Sequence, residues 1–264
     1  MGVQLMPSGS ESLRYILLLV ISLTGGFPVS AFSWSTIEVE AEMDNTLYQT
    51  EMDIPPARNE LSNGQGIFLF AGRTGLDAGF RNRRALVKFD LSVLPDDAEV
   101  LSAELVLYLS RAAPGAPPSE MTLHRVLQPW GEGISNAAGP EGQGALAEKG
   151  DATWFHSEYS TQLWSIPGGS FQIWPSAVTT VGSLSQDYVW PCTRQLLGEI
   201  NTWLNVPEEN SGWLLLGFED GARNARRFHS REHPEVQTRP RLRLIYRTPD
   251  MVFADGFESL PGCG

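Results

Sequence analysis

The sequence predicts an all-β chain, an antiparallel sandwich with one short helix, and three observations carry that prediction. Several short segments alternate apolar and polar residues with the period of two that a half-buried strand requires. Clusters of turn-forming residues separate them. A single segment, after Thr193, spaces its apolar residues for a helix. The pattern is clearest over residues 84–126. Ala85, Val87, Phe89 and Leu91 fall on one face of an extended chain, and Leu101, Ala103, Leu105, Leu107 and Leu109 fall on one face of the next. Leu94-Pro95-Asp96-Asp97-Ala98 turns the chain between them.

The remaining elements follow in order. Ile37, Val39, Ala41 and Met43 alternate with Glu38, Glu40, Glu42 and Asp44, so one face packs and the other carries acid. Its continuation through Leu47, Tyr48 and Gln49 predicts a long edge or near-edge strand whose charges discourage foreign pairing. Residues 67–72 read as a buried strand, 112–118 as an excursion and 121–126 as a returning strand. Glycines then interrupt the pattern from 128 to about 190, and an irregular segment of that length is the place to look for a site. Thr193 is placed to cap a helix in which Leu196, Leu197, Ile200, Trp203 and Leu204 share one face. Trp213-Leu214-Leu215-Leu216-Gly217-Phe218, an extended piece at Phe228, and Leu242, Leu244 and Tyr246 turned inward complete a single domain.

The chain has 264 residues, 42% hydrophobic and 19% charged, which are globular rather than disordered values. Its 19 basic and 31 acidic residues give a formal charge of −12, which disfavours nucleic acid as a partner because such binding rests on neutralising phosphates. Residues 1–31 read as a secretory signal peptide: Arg14 precedes a short apolar run, and Val29-Ser30-Ala31 supplies small residues for cleavage. The run is short for a membrane span, leaving an uncleaved anchor as the lesser alternative. The expected mature protein is exported, without a membrane span, and comprises a domain over 32–248 and a tail over 249–264. Cys192 and Cys263 are free to pair with each other, stay reduced or bond another chain, and spacing does not choose among these.

A set of motifs in a fixed order resembles a known family. The motifs are Arg84-Ala85-Leu86-Val87-Lys88-Phe89-Asp90-Leu91-Ser92, Ala103-Glu104-Leu105, His124-Arg125-Val126 with Pro129-Trp130-Gly131-Glu132-Gly133, and Gly150-Asp151-Ala152-Thr153-Trp154. They continue with Trp164-Ser165-Ile166-Pro167-Gly168-Gly169, Asn210-Ser211-Gly212-Trp213, Phe228-His229-Ser230-Arg231-Glu232 and Pro240-Arg241-Leu242. Over nearly the whole mature domain the chain resembles the DNRLRE-domain proteins. That resemblance implies a jelly-roll-like β-sandwich in a secreted or surface protein, related to carbohydrate-binding modules that include binders of acidic glycans. The chain departs from the family in having Ser170 where an acid often follows the paired glycines, and in carrying no catalytic domain. Phe253-Ala254-Asp255-Gly256-Phe257-Glu258 in the tail resembles a short ending of secreted bacterial proteins.

Candidate site residues come from four groups. Trp130, Trp154, Trp164, Trp174 and Trp190 cluster in the irregular segment. Exposed indoles stack on sugars, whereas buried ones wedge loops onto a sandwich, and Trp154 and Trp164 are the better candidates for a platform. Arg81, Arg83 and Arg84 precede one strand, and Arg223, Arg226, Arg227 and Arg231 flank another. If the runs meet, they form a cationic groove for carboxylates, with Arg84, Arg227 and Arg231 as the ligand-binding residues. The bland alternative is a solvated rim with internal ion pairs. Glu132, Asp151 and Asp220 sit beside loop glycines, where oxygen ligands for a structural calcium are found, although turn chemistry is the commoner role. His229-Ser230-Arg231-Glu232-His233 spells a zinc-peptidase motif, yet on a strand its histidines would lie about 13 Å apart. No nucleophile elbow, phosphate loop or dinucleotide fingerprint occurs, and no catalytic residue is assigned. The leading expectation is a secreted, non-catalytic module that binds polysaccharide, with no cofactor required. The alternatives are a structural or adhesive surface protein and a polysaccharide-active enzyme.

Overall fold

The computed structural model describes residues 34–50, 60–221 and 223–248 together with Cys263. The signal peptide expected at 1–31 and the tail motif at 253–258 lie outside the described residues. In chain order the strands are β1 (Ser35–Tyr48), β2 (Leu61–Ser62), β3 (Phe68–Arg73), β4 (Asn82–Phe89), β5 (Glu99–Ala112), β6 (Ser119–Arg125) and β7 (Ala145–Leu146). They continue with β8 (His156–Glu158), β9 (Gln162–Leu163), β10 (Ala177–Val181), β11 (Gln186–Trp190), β12 (Trp213–Leu216), β13 (Arg226–His229) and β14 (Arg241–Arg247). Among the described residues one α-helix, α1 (Arg194–Asn205), lies between β11 and β12, with three single-turn 3-10 helices elsewhere.

These elements form an antiparallel all-β sandwich, as the alternation predicts. One layer runs β1–β14–β5–β13–β3, with β11 also on β5, and the other runs β1–β4–β12–β6–β10. Two strands serve both layers. β1 pairs β14 through Glu40 and β4 from Ala41 onward, while β3 pairs β13 through Ala71 and β4 at Gly72 and Arg73. The sandwich is therefore tied along its edges rather than open. Between the layers lies a core of aliphatic and aromatic side chains, including Phe89, Leu105, Trp190, Trp203, Trp213 and Phe228.

Two register irregularities change which residues face inward. In β1 the pairing slips between Ala41 and Met43, and the period of two resets. Glu38, Glu40 and Glu42 are exposed as expected, but Asp44, assigned to the same acidic face, is only 1% exposed. Asn45 and Thr46 are buried after it. A second slip, opposite Ile245 and Tyr246, brings Val100 rather than Leu101 into the central cluster.

The helix forms as its sequence dictates. The Thr193 hydroxyl accepts the Leu196 N–H at 3.0 Å, satisfying one of the donors that a helix start leaves unpaired. Leu196, Ile200 and Trp203 are buried against the core, with Leu197 and Leu204 packed at its margin. Just before the helix, Cys192 is joined to Cys263 with a Cα–Cα separation of 5.0 Å, an ordinary distance for a disulfide. The helix also carries a charge inward. Glu199 is 2% exposed, and its carboxylate accepts Trp213 Nε1 at 2.8 Å, Ser176 Oγ at 3.0 Å and Gln195 Nε2 at 2.9 Å.

That carboxylate locks α1 to β12 and to the segment before β10. Glu199→Ala leaves the buried Trp213 and Ser176 donors unsatisfied and is expected to lower stability by about 3 kcal/mol. Urea unfolding followed by tryptophan fluorescence measures the loss, and a change within experimental error would contradict this role.

Candidate functional site

The irregular segment is a lid on the outer face of the β4–β12 layer, with a hydrophobic core of its own. Trp130, Trp154 and Trp164 pack there against Leu47, Leu86 and Leu214, the residues of β1, β4 and β12 that point away from the central core. Buried indoles need partners for their N–H groups. Trp130 Nε1 donates to the Ser211 carbonyl at 2.9 Å, and Trp164 Nε1 to the Thr153 carbonyl at 2.9 Å. The structure thus corrects the reading of Trp154 and Trp164 as a stacking platform: at 8% and 4% exposure, they are wedges. Trp174 is the most exposed of the described tryptophans, at 73%.

Arg84 belongs to this lid and not to a ligand groove. Its guanidinium grips Glu219 through two 2.8 Å bonds, donates to the Gly168 carbonyl at 2.7 Å and lies 4.7 Å from the centre of the Trp154 ring. Gly168 has a positive φ of 87°, and a Cβ there would sit 2.5 Å from the Arg84 guanidinium, so glycine allows the clasp. The two arginine runs also turn inward elsewhere. Arg83 is 5% exposed, lies over the Tyr48 ring and bonds the carbonyls of Gln49 and Asn82, and desolvation pulls its pKa down to about 10. Arg226, 1% exposed, spends its donors on the carbonyls of Gly182, Asn224, Pro117 and Val181. The expected merging of the two runs into one groove does not occur.

Arg227 and Arg223 do reach a cleft, together with Arg111, which sequence reasoning missed. The cleft has a volume of about 690 Å³, and Phe70, Ala112, Ala113, Pro114, Ala138 and Pro140 supply much of its apolar wall. Arg111 and Arg227 are direct register partners across β5 and β13. Like charges directly opposite each other destabilise a strand pair. Neither ion-pairs with an acid among the described residues. Arg227 Nε donates to Ser110 Oγ at 3.0 Å, and its guanidinium lies 3.8 Å from the Phe68 ring centre. Burial, and then the Arg111 charge, depress the Arg227 pKa. Arg223 stands at the rim, largely exposed, with Asp77 at 3.7 Å. The signal available in the sequence was Arg111 at the polar end of a strand otherwise read for its leucines.

The three acids expected to share a calcium are not together. Asp151 is fully buried and accepts the N–H groups of Ile134, Ser135 and Glu148, so it pins its loop in the manner of turn chemistry. Asp220 lies exposed in a bend near Glu219. Glu132 instead meets Asp44 and Glu232, with one oxygen of each carboxylate within 4.8 Å of the others. Arg231, expected in the glycan groove, is held there: its Nη1 lies 3.1 Å from Glu132 Oε2 and 2.6 Å from Glu232 Oε1.

The histidine motif is also rearranged. A strand would separate His229 and His233 widely, but β13 ends at His229 and the chain turns, with the His233 N–H donating to the Ser230 carbonyl at 3.2 Å. The rings stack with centres 3.3 Å apart and planes 12° apart, and Glu235 lies close to both. His229 Nδ1 is engaged by Thr238 Oγ1 at 2.7 Å, and His233 Nδ1 accepts the Glu235 N–H at 3.2 Å. Parallel rings do not converge on an ion. Glu232, the motif's would-be base, points into the carboxylate cluster, so the motif does not form a peptidase centre. Desolvation first, then the neighbouring His233 and Arg227, push the His229 pKa down to about 4.

No protein-family model matches the chain, and no curated protein does.

With Arg84 serving the lid, Arg84→Ala is expected to reduce stability by about 2–3 kcal/mol, because it strands Glu219 and removes the cover from Trp154. Chemical denaturation tests this. A wild-type midpoint would show that the Arg84–Glu219 clasp contributes nothing.

Proposed function

We propose that the chain is a secreted, non-catalytic module that binds an anionic polysaccharide in the cleft lined by Arg111, Arg223 and Arg227. The observation carrying this reading is the placement of Arg111 opposite Arg227 in the cleft, with neither making an ion pair among the described residues. Glu141 in the cleft wall offers Arg227 only a distant charge, because its carboxylate is taken up by Asn63, Ile67 and Phe68, and a carboxylate-bearing sugar chain supplies a direct one. Guanidinium groups suit it, because their planar donor fork matches a carboxylate in two parallel bonds. Apolar residues around them offer the surface that the hydrocarbon faces of sugar rings prefer, and the volume accommodates a few residues of a chain. The resemblance to DNRLRE-domain proteins, some of whose relatives bind acidic glycans, supports the same reading.

The overall charge of −12 does not oppose it. At physiological ionic strength, exposed charges farther away than about 8 Å are largely screened, so the local arginines dominate the field a bound carboxylate feels. The same argument makes binding sensitive to salt.

A glycan array probed with the mature chain, followed by titration against the best acidic polysaccharide, tests the proposal. Arg111→Ala and Arg227→Ala are each expected to weaken binding about tenfold, the equivalent of about 1.4 kcal/mol. Added NaCl should weaken the wild type as well. Binding to no glycan would leave the structural or adhesive reading, shortening of the bound chain would reveal an enzyme, and undiminished affinity in both variants would place the ligand elsewhere.

A further inference from the structure

We propose that Asp44, Glu132 and Glu232 form a binding site for one divalent hard cation, with calcium the best fit. The site is separate from the polysaccharide cleft and does not depend on that reading. Its three carboxylates come from three distant pieces of chain: β1 just after its slip, the loop that follows β6, and the turn that follows β13.

Local bonds hold each of the three residues. Asp44 Oδ2 accepts the Arg231 N–H at 2.7 Å, and the Asp44 N–H donates to Glu132 Oε1 at 2.8 Å. The Glu132 carbonyl is held by Asn45 Nδ2 at 2.7 Å, and the Glu232 N–H by Ser230 Oγ at 3.1 Å. Two oxygens remain. Asp44 Oδ1 and Glu232 Oε2 are buried and have no hydrogen-bond partner. Asp44 is 1% exposed, so bulk water does not solvate its orphan oxygen. Native structures rarely leave such atoms unsatisfied, and an ion is one of the standard explanations.

Charge and geometry point the same way. Three carboxylates against the single Arg231 guanidinium leave an excess of two negative charges when all are ionised, which one divalent cation balances. Oxygens bound to calcium lie about 2.3–2.6 Å from it, so ligands on opposite sides stand about 5 Å apart. The three oxygens here lie within 4.8 Å of one another. Calcium accepts six to eight oxygens and tolerates irregular geometry, so water completes the shell on the Glu232 side, where the side chain is 16% exposed. Magnesium demands a stricter octahedron and is the poorer match. Desolvation by burial, and then the charges of Glu232 and Glu132, raise Asp44 well above the usual carboxylate range against the lowering effect of Arg231.

The test uses the mature chain stripped with EDTA and exchanged into metal-free buffer at neutral pH. Calorimetric titration with calcium chloride is expected to show one site per chain. At a hundredfold excess over Kd, calcium should raise Tm by about 5 °C or more. Glu232→Gln keeps the shape of the side chain and should weaken calcium at least about tenfold, whereas Asp220→Asn, outside the cluster, should leave it unchanged. Absence of both heat and Tm change in the unmodified chain at millimolar calcium overturns the proposal without any variant. Calcium binding that survives Glu232→Gln intact also overturns it, since the ion then lies elsewhere.

Discussion

The structure depends on a change of register in one edge strand. β1 leaves one layer of the sandwich after Glu40, joins the other at Ala41, and slips in register between Ala41 and Met43. Before that point its polar residues face solvent. After it, the same alternation would bury charges, and the chain uses that burial by placing Asp44, Asn45 and Thr46 where each has a task. Asn45 Oδ1 accepts the N–H groups of Thr46 at 2.6 Å and Asn63 at 3.1 Å, while its amide donates to Ser62 and the Glu132 carbonyl. Thr46 Oγ1 accepts the Phe70 N–H at 3.0 Å, and Tyr48 Oη donates to the Glu141 carbonyl at 3.0 Å. One short run of backbone thereby ties down the lid, the carboxylate cluster and a wall of the cleft.

This arrangement explains the division of labour among the arginines. The buried Arg83 and Arg226 close loops by bonding carbonyls, while the partly exposed Arg84 clasps the lid and Arg231 holds the carboxylates. Arg111 and Arg227 stand where β5 and β13 reach the cleft, and neither forms an ion pair among the described residues. Burial of a guanidinium is tolerated only with its donors engaged. A pair without an ion pair of its own at an open cleft is accordingly where the proposed ligand is placed.

Much of the fold was legible because alternation reports burial directly where a strand is regular. In β4 and β5 every residue predicted to face inward is buried, with Leu86 and Val106 buried on the opposite face as well, and Thr193 caps the helix it was placed to cap. The site was less legible, for physical reasons. A slip of one residue inverts every later side chain, so Asp44 read as surface although it is interior. The lid has no period because its backbone is held by side-chain bonds, such as those of Asp151, and nothing in spacing distinguishes an indole that wedges from one that stacks. The His229–His233 contact arises from a turn that a strand-based distance could not anticipate. Arg111 lay in a leucine-rich strand, and only the pairing with β13 set it opposite Arg227.

The central claim is that the buried polar run after the slip in β1 holds the lid to the sandwich. Amide hydrogen exchange, compared between the wild type and Asn45→Ala by mass spectrometry, tests it directly. The account predicts that protection collapses across residues 127–171 while β5 and β14 remain as slow to exchange as in the wild type. Equal protection of the lid in both proteins would contradict it, as would a uniform loss across all strands.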